Sequence, residues 1–344
     1  MIHFDCDYMA GAHPEVLQTI VDNNKVQTAG YGCDDFCLHA KSLIREACGA
    51  PDAAVHFMVG GTQTNSTIID ALLRRTDGVL AVESAHINVH ESGAIELFSH
   101  KVLALPSHDG KMHAEDAAAY LKDFYADDTN EHMVAPGMVY LSFPTEYGTI
   151  YSLQELQDIH DVCKEYDIPL YIDGARLGYG LAASPDVTLK DIARLADVFY
   201  IGGTKMGALF GEAVVCTNPN LLQRFFPLQK AHGAVLAKGR LLGMQFEALF
   251  TNDLYMRIGH HGVALAQRLH GIMQEHGYES FIDSPTNQQF FVLPNTIIDA
   301  LTPHASFEYW GPRGAMESKV RFVTSWETTD EDIRTLESLI ADMK

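Results

Sequence analysis

Two short stretches hold residues able to do chemistry together. Tyr171-Ile-Asp-Gly-Ala-Arg176 ends an apolar run on a carboxylate, and Tyr200-Ile-Gly-Gly-Thr-Lys205-Met-Gly207 ends another just before an amine. Each run reads as a buried strand delivering its charged residue to the rim of a sheet. In an open α/β sheet the ligand crevice lies at the carboxyl ends of the strands, so Asp173 and Lys205 would meet there. Taken singly, each fits a buried ion pair. Together they suit pyridoxal phosphate: the lysine amine would bind the cofactor's aldehyde, and the aspartate would keep the pyridine nitrogen protonated so that the ring draws electrons.

Such a cofactor also needs a phosphate site. Val55-His-Phe-Met-Val59 runs into Gly60-Gly-Thr-Gln-Thr64 and then into a helix with Ile68, Ile69, Leu72 and Leu73 on one face. The free N–H groups of the first turn and the helix dipole would hold an anion, and the glycines let it approach the backbone beside Thr62. A plain helix cap reads similarly. The dinucleotide pattern G-x-G-x-x-G is absent, and Gly178-Tyr-Gly180 also lacks its third glycine.

His86 and His90 stand four apart beyond the strand Gly78-Val-Leu-Ala-Val82 and would share a helix face. The zinc pattern H-E-x-x-H fails at Ile87, so no metal is expected. An imidazole just past a strand end suits stacking on a flat cofactor, or simply a solvated helix start. Arg321 lies inside Val320-Arg-Phe-Val-Thr324, otherwise apolar. It reads as a functional charge or as a surface charge on an edge strand. Gly30-Tyr-Gly32 reads as a turn.

The elements that must position these residues alternate. Further strands are expected at Lys101–Ala104, Gly137–Ser142, Ile168–Ile172, Val198–Ile201 and Leu209–Cys216, separated by helices. One helix starts at Ser152 with Glu155 three residues on, a capping box. That alternation implies an α/β fold with a mainly parallel sheet covered on both faces. Beyond Pro219 the pattern turns helical, then becomes a smaller α+β unit with strands near 289–293, 306–310 and 319–324. Thr328 and Glu331 would cap the terminal helix. The expected division is an N-terminal arm plus a large α/β domain over 1–248, and a small α+β domain over 249–344.

With 24 Lys and Arg against 45 Asp and Glu, the 344-residue chain carries a net charge of −21. So acidic a surface argues against nucleic acid or an anionic membrane as partner. No apolar leader or membrane-length run is visible, so cytoplasmic residence is the expectation. Six cysteines without a C-x-x-C pair are expected to be free thiols.

In their common order, Phe4-x-Cys-Asp7, Gly30-Tyr-Gly-x-Asp34, Gly60-Gly-Thr-Gln63, Ala85-His86 with Glu91-x-Gly93, Asp173-Gly-Ala-Arg176, Thr204-Lys205 and Val320-Arg-Phe-Val-Thr324 resemble one family. It is the threonine aldolase and β-eliminating lyase group of fold-type I pyridoxal phosphate enzymes. The likeness runs over nearly the whole chain. It implies an aspartate-aminotransferase-like fold and cleavage of β-hydroxy-α-amino acids such as L-threonine or L-allo-threonine to glycine and an aldehyde. β-Elimination and transamination stay open, because the same parts stabilise the same carbanion. A non-catalytic binding protein of this fold would have lost Lys205 or Asp173.

Carried over by position, the resemblance implies Lys205 as the cofactor-binding lysine, Asp173 at the pyridine nitrogen and His86 stacked on the ring. It gives the phosphate to Gly60, Gly61, Thr62 and Thr204, with Lys230 as a further basic residue. It gives the substrate carboxylate to Arg176 and Arg321 with the side chain at Cys6. Members are dimers or tetramers with interfacial sites, to which Tyr31 would contribute. Two departures stand out. Cys6 replaces a serine and is a poorer hydrogen-bond donor. Pro144-Thr-Glu146 replaces a segment ending in histidine, so the base that takes the β-hydroxyl proton is expected to be His86, with Glu146 second.

Overall fold

In a computed structural model that describes residues 1–343, the alternating runs resolve into two main sheets and two apolar cores. The first strand, β1 (Ile2–His3), is two residues long. The large sheet comprises β2 (Ala54–Met58), β3 (Asp77–Val82), β4 (Lys101–Leu105), β5 (Ala135–Ser142), β6 (Leu170–Asp173), β7 (Val198–Gly202) and β8 (Glu212–Cys216). Then follow β9 (Ser280–Ile282), β10 (Gln288–Pro294), β11 (Ala305–Ser306), β12 (Glu308–Tyr309) and β13 (Glu317–Val323).

The large sheet runs β2-β8-β7-β6-β5-β3-β4. Its strands β4, β3, β5, β6 and β7 are parallel, and β8 pairs antiparallel with β7 and β2. A mostly parallel α/β sheet was the expectation. The closing strand starts at Glu212 rather than Leu209. Every residue of β6 and β7 is buried, which is why both read as continuous apolar runs rather than alternations.

A small antiparallel sheet runs β12-β13-β10-β9, and β1 pairs with β11. Phe4 packs in the second core and its carbonyl accepts from Val323 N at 2.8 Å, so the N-terminal arm is ordered by the small sheet. The long helix Leu254–Glu275 serves both cores, with Leu254 and Ile258 in the first and Leu265 and Leu269 in the second. No helix among the described residues is long and apolar enough to cross a membrane.

The box at Ser152 and Glu155 caps the helix Leu153–Glu165 as expected, with Glu155 Oε2 accepting from Ser152 N at 2.7 Å. The terminal helix Asp330–Ala341 is instead capped by Thr329 and Asp332, one residue later than read. Thr328 is spent elsewhere, accepting Ser325 N at 2.9 Å to close the preceding turn. Arg321 corrects a second reading. Its strand β13 lies between β12 and β10, so Arg321 is not an edge charge but a buried one, 7% exposed.

Candidate active site

Strands β5, β6 and β7 finish side by side, with Ser142 and Asp173 as register partners. Gly202 N donates to Gly174 O at 2.9 Å just past the ends of β6 and β7. A cavity of about 290 Å³ opens over these ends. Its wall includes Gly61, Thr62, His86, Glu146, Asp173, Arg176, Thr204 and Lys205, so one chamber gathers eight residues singled out from sequence.

At its base Asp173 Oδ2 accepts from Tyr140 OH at 2.6 Å and Asn65 Nδ2 at 2.9 Å, and Oδ1 accepts from Ala175 N at 3.0 Å. Burial alone would raise the carboxyl pKa. The His86 ring and hydrogen bonds from Tyr140, Tyr200 and Asn65 outweigh it and hold Asp173 below the usual carboxylate range. Burial, then the Asp173 charge, pushes Tyr140, Tyr171 and Tyr200 well above the usual tyrosine range, so they stay neutral donors.

Lys205 follows β7 by three residues on a tight loop. Burial first, then the Arg176 charge, lowers its amine pKa, against the pull of Asp7, Asp173 and Glu212. A less basic amine is a better nucleophile at neutral pH. Glu212, the first residue of β8, pins the loop by accepting Gly203 N at 3.0 Å and Thr204 Oγ1 at 2.8 Å. Burial pushes its carboxyl up to about 8.

A chain of polar contacts crosses the floor from Asp173. Asn65 Nδ2 also donates to Glu91 Oε1 at 2.7 Å, and Glu91 Oε1 lies 2.8 Å from His86 Nδ1. His86 N and Ser142 Oγ both donate to Glu146 Oε1, at 2.9 and 2.6 Å. Burial raises the Glu146 pKa above the ordinary carboxylate range despite these bonds. His86 and His90 bound a single helical turn, with ring centroids 5.6 Å apart, and only His86 reaches the cavity wall.

The residues expected at the phosphate divide. The helix Gly61–Leu72 starts without a side-chain cap, leaving first-turn N–H groups for an anion, and Gly61 and Thr62 line the cavity. A Cβ on Gly61 would sit 3.2 Å from Tyr200 OH, while one on Gly60 would meet nothing within 4 Å. Gly60 therefore acts as the extended residue before the helix and is outside the wall. Thr204 lines the cavity, with its hydroxyl donating to Glu212 Oε1 at 2.8 Å and its N–H to Gly211 O at 3.1 Å. Lys230 is exposed, 4.4 Å over the ring of exposed Tyr31, and neither lines the cavity.

Among the residues expected at the substrate carboxylate, Arg176 reaches the cavity but gives Nε and Nη2 to Asp7 at 2.7 and 2.9 Å. Arg321 lies outside the wall, stacked 5.0 Å from Trp310, donating to Gln288 Oε1 at 2.8 Å and to the Glu308 carboxylate. Cys6 is half-buried, its thiol pKa raised by burial, and Tyr8 stands in the wall in its place.

Asn65, Tyr140, Glu212 and Glu308 were not anticipated, nor were roles for Asp7 and Glu91. Two left a signal. Asn65 falls on the buried face of an amphipathic helix, and Glu212 interrupts an apolar strand. Both are polar residues at core positions.

These residues fit pyridoxal phosphate: an anion for the pyridine nitrogen, a lysine whose basicity burial lowers, and an uncapped helix start for the phosphate. The β-eliminating lyase family model matches residues 4–293. The low specificity L-threonine aldolase of Pseudomonas aeruginosa is 30% identical over 342 residues, covering 97% of this chain and 95% of that one. The solved threonine aldolase of Leishmania major is 40% identical with a TM-score of 0.96, covering 100% and 99% of the two chains. A structure of SPT with PLP, 16% identical, covers 99% of this chain and 87% of its own at a TM-score of 0.70, and carries the fold alone.

Proposed function

The chain belongs to the β-eliminating lyase family, and from that premise we propose that it is a pyridoxal-phosphate-dependent aldehyde-lyase, which splits β-hydroxy-α-amino acids such as L-threonine into glycine and an aldehyde. The observation that carries this reading is the meeting of Asp173, Lys205 and His86 in one cavity. The aldolase names of two relatives near full length on both sides support the reaction type.

When bound, the cofactor supplies an electron sink for the carbanion left at Cα as the Cα–Cβ bond breaks. Lys205 would hold its aldehyde, the N–H groups of Gly61 and Thr62 its phosphate, and Asp173 a proton on its pyridine nitrogen. Asp173 suits that task because its hydrogen bonds keep it ionised. With a carboxylate on Nδ1, that nitrogen of His86 donates and Nε2 is free to accept the β-hydroxyl proton. Glu146 suits this less, since burial favours its protonated form and two donors already use Oε1. Arg176 and Arg321 would grip the substrate carboxylate, with Cys6 a weak auxiliary donor.

The same reading makes the protein a homo-oligomer whose sites are completed across the interface. Tyr8, Leu17, Val21, Tyr31, Leu38 and Phe226 are large apolar residues left exposed in one copy, which supports burial by another. Tyr31 and Lys230 would then reach a neighbouring cavity. Cytoplasmic residence belongs to this reading too, and the six free cysteines support it.

The test is product analysis. Purified protein given L-threonine is expected to release glycine and acetaldehyde in equal amounts. Release of 2-oxobutanoate instead would assign β-elimination and overturn the aldehyde-lyase reading.

A further inference from the structure

Both guanidinium groups proposed for the substrate carboxylate already hold a carboxylate of this chain, and the two pairs differ in kind. Asp7 is 2% exposed, takes two hydrogen bonds from Arg176 and a third from Asn287 at 3.0 Å, and is locked. Glu308 is 41% exposed at its side chain and sits on the two-residue edge strand β12 opposite Arg321. Among the described residues its carboxylate bonds only to Arg321.

The surroundings of Arg321 are short of acceptors. Among the described residues its own Nε and the Nε2 of Gln288 are buried donors without a partner, although Gln288 Oε1 already serves Arg321 Nη1. Buried donors of this kind are costly to leave unpaired. The Glu308 charge also acts on Cys6 and Tyr8, and Tyr8 lines the cavity, so the pair stands beside the chamber rather than remote from it.

Resting on the reading that Arg321 grips the substrate, we propose that Glu308 is the resident counter-ion of the carboxylate site and sets its affinity. It neutralises Arg321 in the resting protein, and an incoming amino acid exchanges its own carboxylate for that of Glu308. A buried guanidinium needs an anion at all times, and this exchange supplies one throughout. If Glu308 occupies Arg321 for roughly nine-tenths of the time, apparent affinity for amino acids falls about tenfold, because only the open fraction binds.

Trp310 gives a direct readout, since it stacks on Arg321 and the chain has 2 tryptophans. In a Trp326→Phe background of the holoprotein, Trp310 fluorescence is titrated with glycine, which has the carboxylate but no bond to cleave. Glu308→Gln is expected to tighten glycine binding about tenfold and to lower KM for L-threonine alike with little change in kcat. Glu308→Asp, with a shorter reach, is expected to fall between, and serves if the glutamine variant does not fold. Weaker or unchanged glycine binding in these variants, with binding lost in Arg321→Lys, overturns the proposal alone and makes Glu308 a support for the arginine. Unchanged binding in Arg321→Lys overturns the carboxylate clamp and the proposal with it.

Discussion

The amide of Gly202 donates to the carbonyl of Gly174 at 2.9 Å, tying the strand that delivers Asp173 to the strand that leads to Lys205. Contact this close needs two residues without side chains. A Cβ on Gly174 would strike the carbonyl oxygen of Tyr200, and one on Gly202 that of Ala175. Backbone cannot swing away as a side chain can. Gly174→Ala is therefore expected to lose about 1–3 kcal/mol of stability and to part the two strand ends, so that cofactor content falls with Tm. A variant as stable and as loaded as the parent would mean the close approach is not required.

Asp173→Asn is expected to keep the cofactor but lose roughly 10²-fold or more in kcat. An amide takes the same space and cannot stabilise a protonated pyridine nitrogen by charge. The check is kcat with L-threonine beside the visible spectrum. Near-normal turnover would remove Asp173 from the electron-sink role.

The strand ends were legible because β6 and β7 are buried throughout, β6 stopping at Asp173 and β7 three residues short of Lys205. The uncapped glycine turn before the helix Gly61–Leu72 was legible for the same reason, a break in an apolar pattern. What surrounds them was not. Asp7 meets Arg176 across 169 positions and Glu308 meets Arg321 only through strand pairing, and no local period encodes either contact. The resemblance gives Thr204 to the phosphate, and its hydroxyl donates to Glu212 on the next strand, a contact that no local pattern encodes. Of the two readings of Arg321 the edge charge falls away, because the strand expected near 306–310 pairs through β12 on the outer side of β13, and a strand pattern carries no strand order.

Arg321→Lys is expected to weaken kcat/KM for L-threonine by about 2–5 kcal/mol while leaving the resting spectrum unchanged. Lysine keeps the charge but cannot reproduce a planar forked donor or the stack on Trp310. Unaltered kinetics would make Arg321 a structural counter-ion of Glu308. A lost cofactor band would move its role to the cofactor or the fold.

Glu212 gives a pH signature. Its folded pKa of about 8 lies above its ordinary value near 4.5, so its contribution to stability is fully present below the ordinary value and is lost as pH rises through about 8. In Glu212→Gln that loss disappears. The glutamine variant is expected to gain Tm relative to the parent on going from about pH 5 to about pH 8. A difference in Tm that stays constant with pH would mean Glu212 is ionised throughout.

Borohydride reduction of the purified protein followed by peptide mapping asks directly whether the paired ends of β6 and β7 hold a pyridoxal cofactor on Lys205. A single reduced cofactor adduct is expected on Lys205, absent from Lys205→Ala. An adduct on any other lysine, Lys230 included, would contradict it.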